Sequence, residues 1–284
     1  MLRDQTIVTL CRNELPSNFA PMQTSSRQPV GQTLIPVREV PVSHAFQWLA
    51  LGWQDLKRTP VSSLLHGVVV TIGGWVILAF TLHYWYLLPG AFSGFLLIGP
   101  ILATGLYELS RRLTLGEQPG MREVVAAWRR GTRPLVWLGL MLVIAGTGWV
   151  LVSAVLFALF VQAPITGLES FLRYVVVSEG SFLFPVWITL GGFGAAIVFA
   201  ATVISAPMLL DKDVDMVTAL VTSIRAVGEN PFTMVVWASI IMIATGIAAL
   251  TLMLGFVLVI PLIGHATWHA YRDVVDATGL PPRE

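Results

Sequence analysis

Four stretches without a single Asp, Glu, Lys or Arg constrain this chain most: residues 59–107, 134–168, 180–210 and 231–271. Hydrocarbon is crossed by roughly 20 apolar residues in a helix. Only helices and closed barrels satisfy their backbone groups there, and runs this long are helical. The first and last stretches each have room for two helices and the middle two for one. The expected spans are about 61–87, 91–109, 135–161, 182–210, 232–252 and 255–271. Composition agrees, since 12% of the residues are charged against about 25% in a soluble domain. An all-α polytopic membrane bundle of six transmembrane helices is expected.

Residues 1–40 mix Ser, Gln, Pro, Asn and Arg with no sustained period or signal-peptide run, which reads as a disordered cytoplasmic tail. Residues 41–276 form the membrane domain and 277–284 a short tail. The piece 41–60 places Phe46, Leu49, Trp53 and Leu56 at helical spacing, with Gln47, Gln54, Asp55 and Lys57 on other faces. Such a helix is expected to lie in the interface with its tryptophans at headgroup depth. The theme returns at 121–131 and 216–227. Each amphipathic piece is followed by a leading proline (Pro60, Pro134, Pro231), a span, and a second span carrying Pro100, Pro207 or Pro261. The pattern predicts three parallel repeats, about 41–120, 121–213 and 214–276, sharing one direction in the membrane. Tyr84, Trp85 and Tyr86 form an aromatic belt where the first span ends, and 162–181 is a sizeable loop on the same side.

Orientation follows from the positive-inside rule. With the N-terminus inside, 16 of the 17 Lys and Arg residues fall on the inner side and Arg173 alone on the other. Both termini and all three amphipathic pieces are therefore expected to be cytoplasmic, in a bacterial inner membrane.

Apart from Glu108, at the very end of the second, no charged residue lies within an expected span, which counts against proton- or sodium-coupled transport but not against a channel lined by hydroxyls and carbonyls. Pro100, Pro207 and Pro261, with Gly99 and Thr104 beside the first, are candidates for helix kinks or a pore lining. His66 and His265 on facing helices are the pattern of a haem b ligand pair, and His265 with His269 at i, i+4 that of a metal pair. No carboxylate stands near them in sequence to orient the rings, so the sequence expects no cofactor, with haem the less favoured alternative. Arg122, Arg129, Arg130 and Arg133 read as contacts to anionic lipid headgroups. Small-residue ladders at Gly90/Gly94 and Gly192/Ala196/Ala200 serve close helix packing or self-association. The partners expected are the bilayer, its anionic lipids, and a homo-oligomer or larger membrane complex; no nucleic acid is implied. The sole cysteine, Cys11, rules out an intrachain disulfide. No catalytic signature is present, so no enzyme is expected.

On three stretches the chain resembles the DUF2189 family of bacterial integral membrane proteins. They are GWQDLKRTP at 52–60, GPILATGLYELSRRLTLGEQP at 99–119 and VIPLIGHATWHAYRDVV at 259–275. The resemblance covers about residues 40–275. Some members carry the label cytochrome c oxidase subunit I, but six spans with few histidines fall short of an oxidase core, and the family brings no established activity.

Two function classes remain. A channel or facilitator for a small solute requires a polar-lined cavity near Pro100, Pro207 and Pro261. An accessory or assembly subunit of a membrane complex, such as a respiratory one, requires a filled centre and an exposed small-residue face. The channel is preferred here, because internal repeats and repeated proline breaks are common in transport proteins.

Overall fold

The computed structural model describes residues 34–81, 84, 87–161, 168–171, 173 and 182–283. Residues 1–33 of the expected tail, Trp85 and Tyr86 of the belt, and nearly all of the loop at 162–181 lie outside the described residues. The chain from Ile35 onward forms one compact unit, which takes in residues 35–40.

The described residues hold thirteen helices. They are α1 (His44–Arg58), α2 (Pro60–Thr81), α3 (Leu88–Leu97), α4 (Gly99–Leu102), α5 (Thr104–Thr114), α6 (Met121–Arg130) and α7 (Arg133–Phe160). There follow α8 (Leu168–Phe171), α9 (Leu183–Thr202), α10 (Ser205–Asp211), α11 (Met216–Glu229), α12 (Pro231–Leu250) and α13 (Phe256–Val274). Four helical runs are long and apolar enough to cross a membrane: Pro60–Phe80, Arg133–Phe160, Leu183–Asp211 and Pro231–Leu250. The other two expected spans are built differently. The second is divided into α3, α4 and α5, and the sixth is α13, which is preceded by a turn at 251–255.

Local chemistry explains these boundaries. Pro60 and Pro231 open α2 and α12, and Pro134 stands in the first turn of α7, where a missing N–H costs nothing. A proline further along a helix clashes with the carbonyl four residues back. Accordingly α3 stops at Leu97, one turn before the α4 segment that contains Pro100, and α9 stops at Thr202, just before the carbonyl of Val203 that Pro207 would strike. Pro261 lies within α13 without breaking it. The carbonyl it leaves free, that of Val257, is covered by α2: a Cβ on Gly67 would sit 2.3 Å from Val257 O.

The core gathers around α13, which packs against α1, α2, α5, α10 and α12. Trp48, Leu106, Leu109, Ile204, Met208, Trp237, Trp268 and Tyr271 are all fully buried in one cluster. Two straps close this collar. Residues 35–40 run beside the end of α13, with a bridge between Val37 and Val275, and Asn230 holds them by accepting from Val40 N (2.8 Å) and donating to Arg38 O (3.0 Å). The C-terminal segment pairs at Pro282 with Lys212, and Arg283 donates to Thr132 Oγ1 (2.8 Å) and to Leu209 O. The expected short tail is thus docked on the link between α10 and α11.

Helix α1 turns part of its expected apolar stripe outward and buries a different face. Phe46 and Trp53 are exposed, whereas Ala45, Trp48, Gly52, Asp55 and Leu56 are buried. It is packed along α13, close enough that a Cβ on Gly52 would meet Ala266 N at 2.7 Å. In a membrane protein the apolar stripe can face lipid while small and polar residues face protein.

Candidate functional site: a buried histidine–aspartate node

The most polar part of the collar lies where α1, α2, α5 and α13 meet. Asp55, Ser63, Ser110 and His265 are all buried there. Ser110 Oγ donates to Asp55 Oδ2 at 2.7 Å and lies 2.7 Å from His265 Nδ1. His265 Nε2 lies 2.8 Å from Ser63 Oγ, which is 3.0 Å from Thr59 Oγ1. Thr59 in turn donates to the carbonyl of Asp55 at 3.1 Å, and His269 Nε2 meets Asp55 Oδ2 at 2.8 Å. The result is a network of polar contacts across four helices.

Donor and acceptor capacity sets its direction. A carboxylate only accepts, and a serine has one proton. Ser110 spends that proton on Asp55, so it accepts from His265, whose Nδ1 carries the hydrogen. His265 Nε2 then accepts from Ser63. The donors point toward Asp55, which also receives His269. Burial alone would push the Asp55 carboxyl up, but the hydrogen bonds from His269 and Ser110 hold it below the usual carboxylate range.

This geometry differs from a nucleophilic triad, in which the histidine takes the serine proton. Here the serine gives its proton to the aspartate, and both ring nitrogens of His265 are engaged. His66 sits apart from this network, with Nε2 2.6 Å from Leu102 O, and that carbonyl lies one helical turn before Leu106 in the broken second span. Among the described residues no group of three or more His, Cys, Asp or Glu is arranged to hold a metal ion.

A second clasp ties the opposite end of α1 to α13. Asp273 Oδ2 is 2.7 Å from His44 Nδ1 and accepts from Trp48 Nε1 at 2.9 Å. Glu108, also buried, is held by Arg111 (2.8 and 3.1 Å) and Arg112 (2.7 Å). Tyr271 OH donates to Asp211 Oδ2 at 2.9 Å.

The proline candidates stand on three different helices. Gly99 and Pro100 stand in α4, whose Ile101 faces Gly139 of α7; Pro207 is buried in α10; Pro261 is buried in α13. Thr104 donates to Ile101 O within its own chain turn (2.6 Å). Two hollows among the described residues involve the basic side chains. One of about 40 Å³ is lined by Glu108, Arg111, Thr132, Leu209 and Arg283 among others, and an open groove is lined by Met121, Arg122, Val125, Ala126 and Arg129. Arg122, Arg129 and Arg133 are exposed; the Arg130 side chain is outside the described residues. Of the small-residue ladders, Gly90 and Gly94 pack against Ser153, Val150 and Gly146 of α7, while Gly192 and Ala196 face outward.

Sequence reasoning singled out His265 and His269 but missed Asp55, Ser63, Thr59 and Ser110. A signal was present in α1: His44, Trp48, Gly52, Asp55 and Thr59 follow one another at three- and four-residue steps, a single stripe of the helix.

An all-helical chain with several membrane-length apolar helices belongs to the class of integral membrane proteins. The family comparison narrows this: residues 87–211, less than half the chain, match the family described as "Predicted integral membrane protein (DUF2189)". The match runs from the start of α3 to the end of α10 and contains the 99–119 stretch; the two flanking stretches of the resemblance lie outside it. No curated protein and no solved structure matches the chain.

Proposed function

We propose that this protein is a non-catalytic accessory or assembly subunit of a membrane complex, not a channel. The filled centre carries this reading. Between α5, α10, α12 and α13, the residues Leu106, Ile204, Met208, Trp237, Trp268 and Tyr271 are fully buried in one cluster. The outward Gly192/Ala196 face of α9 supports it, since small residues let another helix approach closely. The node fits the same role as an internal clasp. Its direction, with Ser110 donating to Asp55, speaks against acyl-transfer chemistry, and the engagement of both His265 nitrogens speaks against a haem iron there.

In this proposal the collar, with its cluster of Lys and Arg, faces the cytoplasm of a bacterial inner membrane, and Arg122, Arg129 and Arg133 meet anionic headgroups. The three units of short helix, proline-led long helix and second helix enter from that side in the same direction.

Two measurements on the purified full-length protein test the reading. In liposomes, solute and proton flux should equal that of protein-free vesicles. In native membrane extracts, the protein should migrate with a fixed stoichiometry of other membrane subunits. Solute flux that a Pro207→Leu or Pro261→Leu variant abolishes would restore the channel, and a solitary monomer in gentle extracts would remove the accessory role.

A further inference from the structure

Helix α12 has the length of a crossing only if the turns that it places in the collar are counted with it. We infer that the α12–α13 pair is a re-entrant hairpin: it enters the bilayer from the collar side, turns at 251–255 within the hydrocarbon, and leaves by the same side, with lipid acyl chains as the partner of its tip.

The first argument is depth. Contacts between α13 and α2 form a ladder: His265 beside Ser63 (2.8 Å), Val257 against Gly67, Met253 against Gly74, and Leu252 O accepting from Trp75 Nε1 (2.8 Å). The tip therefore stands level with Trp75. From Pro60 to Trp75 a helix rises about 22 Å, short of the roughly 30 Å of a hydrocarbon core. Lys57 and Arg58, both exposed, mark the charged boundary just below Pro60. Beyond the tip α2 continues to Thr81, about 9 Å further.

The second argument is where α12 begins. Thr233 Oγ1 donates to Val40 O of the N-terminal strap (2.8 Å), and Trp237 is buried edge-on against Trp48 of α1, ring centroids 5.7 Å apart. The first two turns thus belong to the collar. The remainder of α12, ending at Leu250, extends only about 20 Å.

The third argument is the chemistry of the turn. Turns in water are built from Gly, Asn, Asp, Ser and Pro. This one reads Leu250-Thr251-Leu252-Met253-Leu254-Gly255, with Leu250 87% exposed, Leu252 75% and Leu254 56%. Its polar groups are met from within. Thr251 Oγ1 donates to Ala248 O (2.7 Å) and accepts from Gly255 N (2.8 Å), Trp75 covers Leu252 O, and Phe256 N donates to Met253 O (3.0 Å). Leu252 and Met253 take left-handed backbone angles, φ 52° and 67°, a conformation that apolar residues adopt only when their surroundings impose it. Irregular backbone is tolerated at membrane depth where protein satisfies it. A turn standing in water would need neither the tryptophan nor three outward leucines. The inference is independent of whether the protein assembles with others or conducts.

Single cysteines at Leu252→Cys and Leu254→Cys, in a Cys11→Ser background of the full chain, test this in proteoliposomes. Tyr84→Cys reports the α2–α3 turn and Asp213→Cys the exposed collar. A nitroxide on each cysteine is probed with oxygen, which concentrates in hydrocarbon, and with a water-soluble nickel chelate. Collision with the chelate should be on the order of tenfold lower at Leu252 and Leu254 than at both references, with oxygen collision higher. Chelate access at Leu252 equal to that at Tyr84 would put the turn in far-side water and overturn the inference. Protection from both reagents would also overturn it, by placing the tip inside a protein interface. Both positions are exposed, so either variant alone suffices if the other is not monodisperse.

Discussion

The collar and the membrane-embedded helices above it are held together by different forces. In the collar every residue of α5 from Thr104 to Ser110 is buried, and carboxylates, hydroxyls and imidazoles are paired across helices. In the membrane portion, only 22% of the apolar window of Arg133–Phe160 is buried. Lipid is as apolar as leucine, so those side chains gain nothing by turning inward. Where upper helices do meet, glycine permits it, as at Gly94, where an added Cβ would stand 3.1 Å from Gly146 O. The difference teaches that this fold is specified from one end: polar clasps and close backbone contacts in the collar orient helices whose outer surfaces are left to lipid.

The largest expected effect is at the seam between the two regions. Gly67→Leu forces side-chain atoms against the backbone of Val257, where even a Cβ comes within 2.3 Å of an oxygen. Overpacking against two backbones should cost roughly 3 kcal/mol or more, read as loss of monodisperse protein in mild detergent. A fully stable variant would show that α2 and α13 can separate freely.

Next comes the clasp. Asp55→Ala leaves His269 and Ser110 without their acceptor, and a buried charged hydrogen-bonded group of this kind is worth roughly 2–4 kcal/mol. Ser110→Ala should cost only about 1 kcal/mol. Equal losses in thermal unfolding would mean the carboxylate is not the centre of the node. The same residue sets an acid limit. A carboxyl held below its ordinary value of 3.8 stabilises the fold at all pH values above that one, and the contribution is lost as pH falls through the folded pKa. The unfolding midpoint should therefore lose stability from this residue only below about pH 4. In Asp55→Asn that acid-side loss should shrink.

Smaller again is the C-terminal strap. Arg283→Ala removes its bonds to Thr132 and Leu209 O, about 1–2 kcal/mol, and should speed proteolysis of residues 276–284 before it affects the bundle. The smallest effect sharpens the comparison from the other side. Gly192→Ala fills open space on α9 and should leave the stability of the isolated protein within about 0.5 kcal/mol. If it weakens co-migration with other membrane subunits, the outward small-residue face is an assembly surface; if it does not, that support for the proposed function is gone.

Much of the architecture was legible in the residues. The long uncharged stretches announced membrane helices because hydrocarbon tolerates neither charge nor unsatisfied backbone. Pro100 and Pro207 announced breaks one turn upstream because a proline ring excludes the preceding carbonyl. Half of the node, His265 and His269, was visible as an i, i+4 pair. Its other half was hidden, because Asp55 and Ser110 stand far from it along the chain and meet it only when α1, α5 and α13 pack. Hydropathy marked the outward side of α1 at Phe46 and Trp53, but not that Leu56 and Asp55 are buried against the other helices.

The sequence by itself determined that the chain is helical and membrane-embedded, since local composition decides where a segment is stable. Only the tertiary structure decided which turns each helix gives to the collar and which residues fill its core. The length of α12 is a local property, but its first turns lie in the collar because Thr233 meets Val40 and Trp237 meets Trp48, contacts between residues nearly two hundred positions apart. The make-up of the collar and its core depends on such long-range pairings, and no local pattern of residues encodes them.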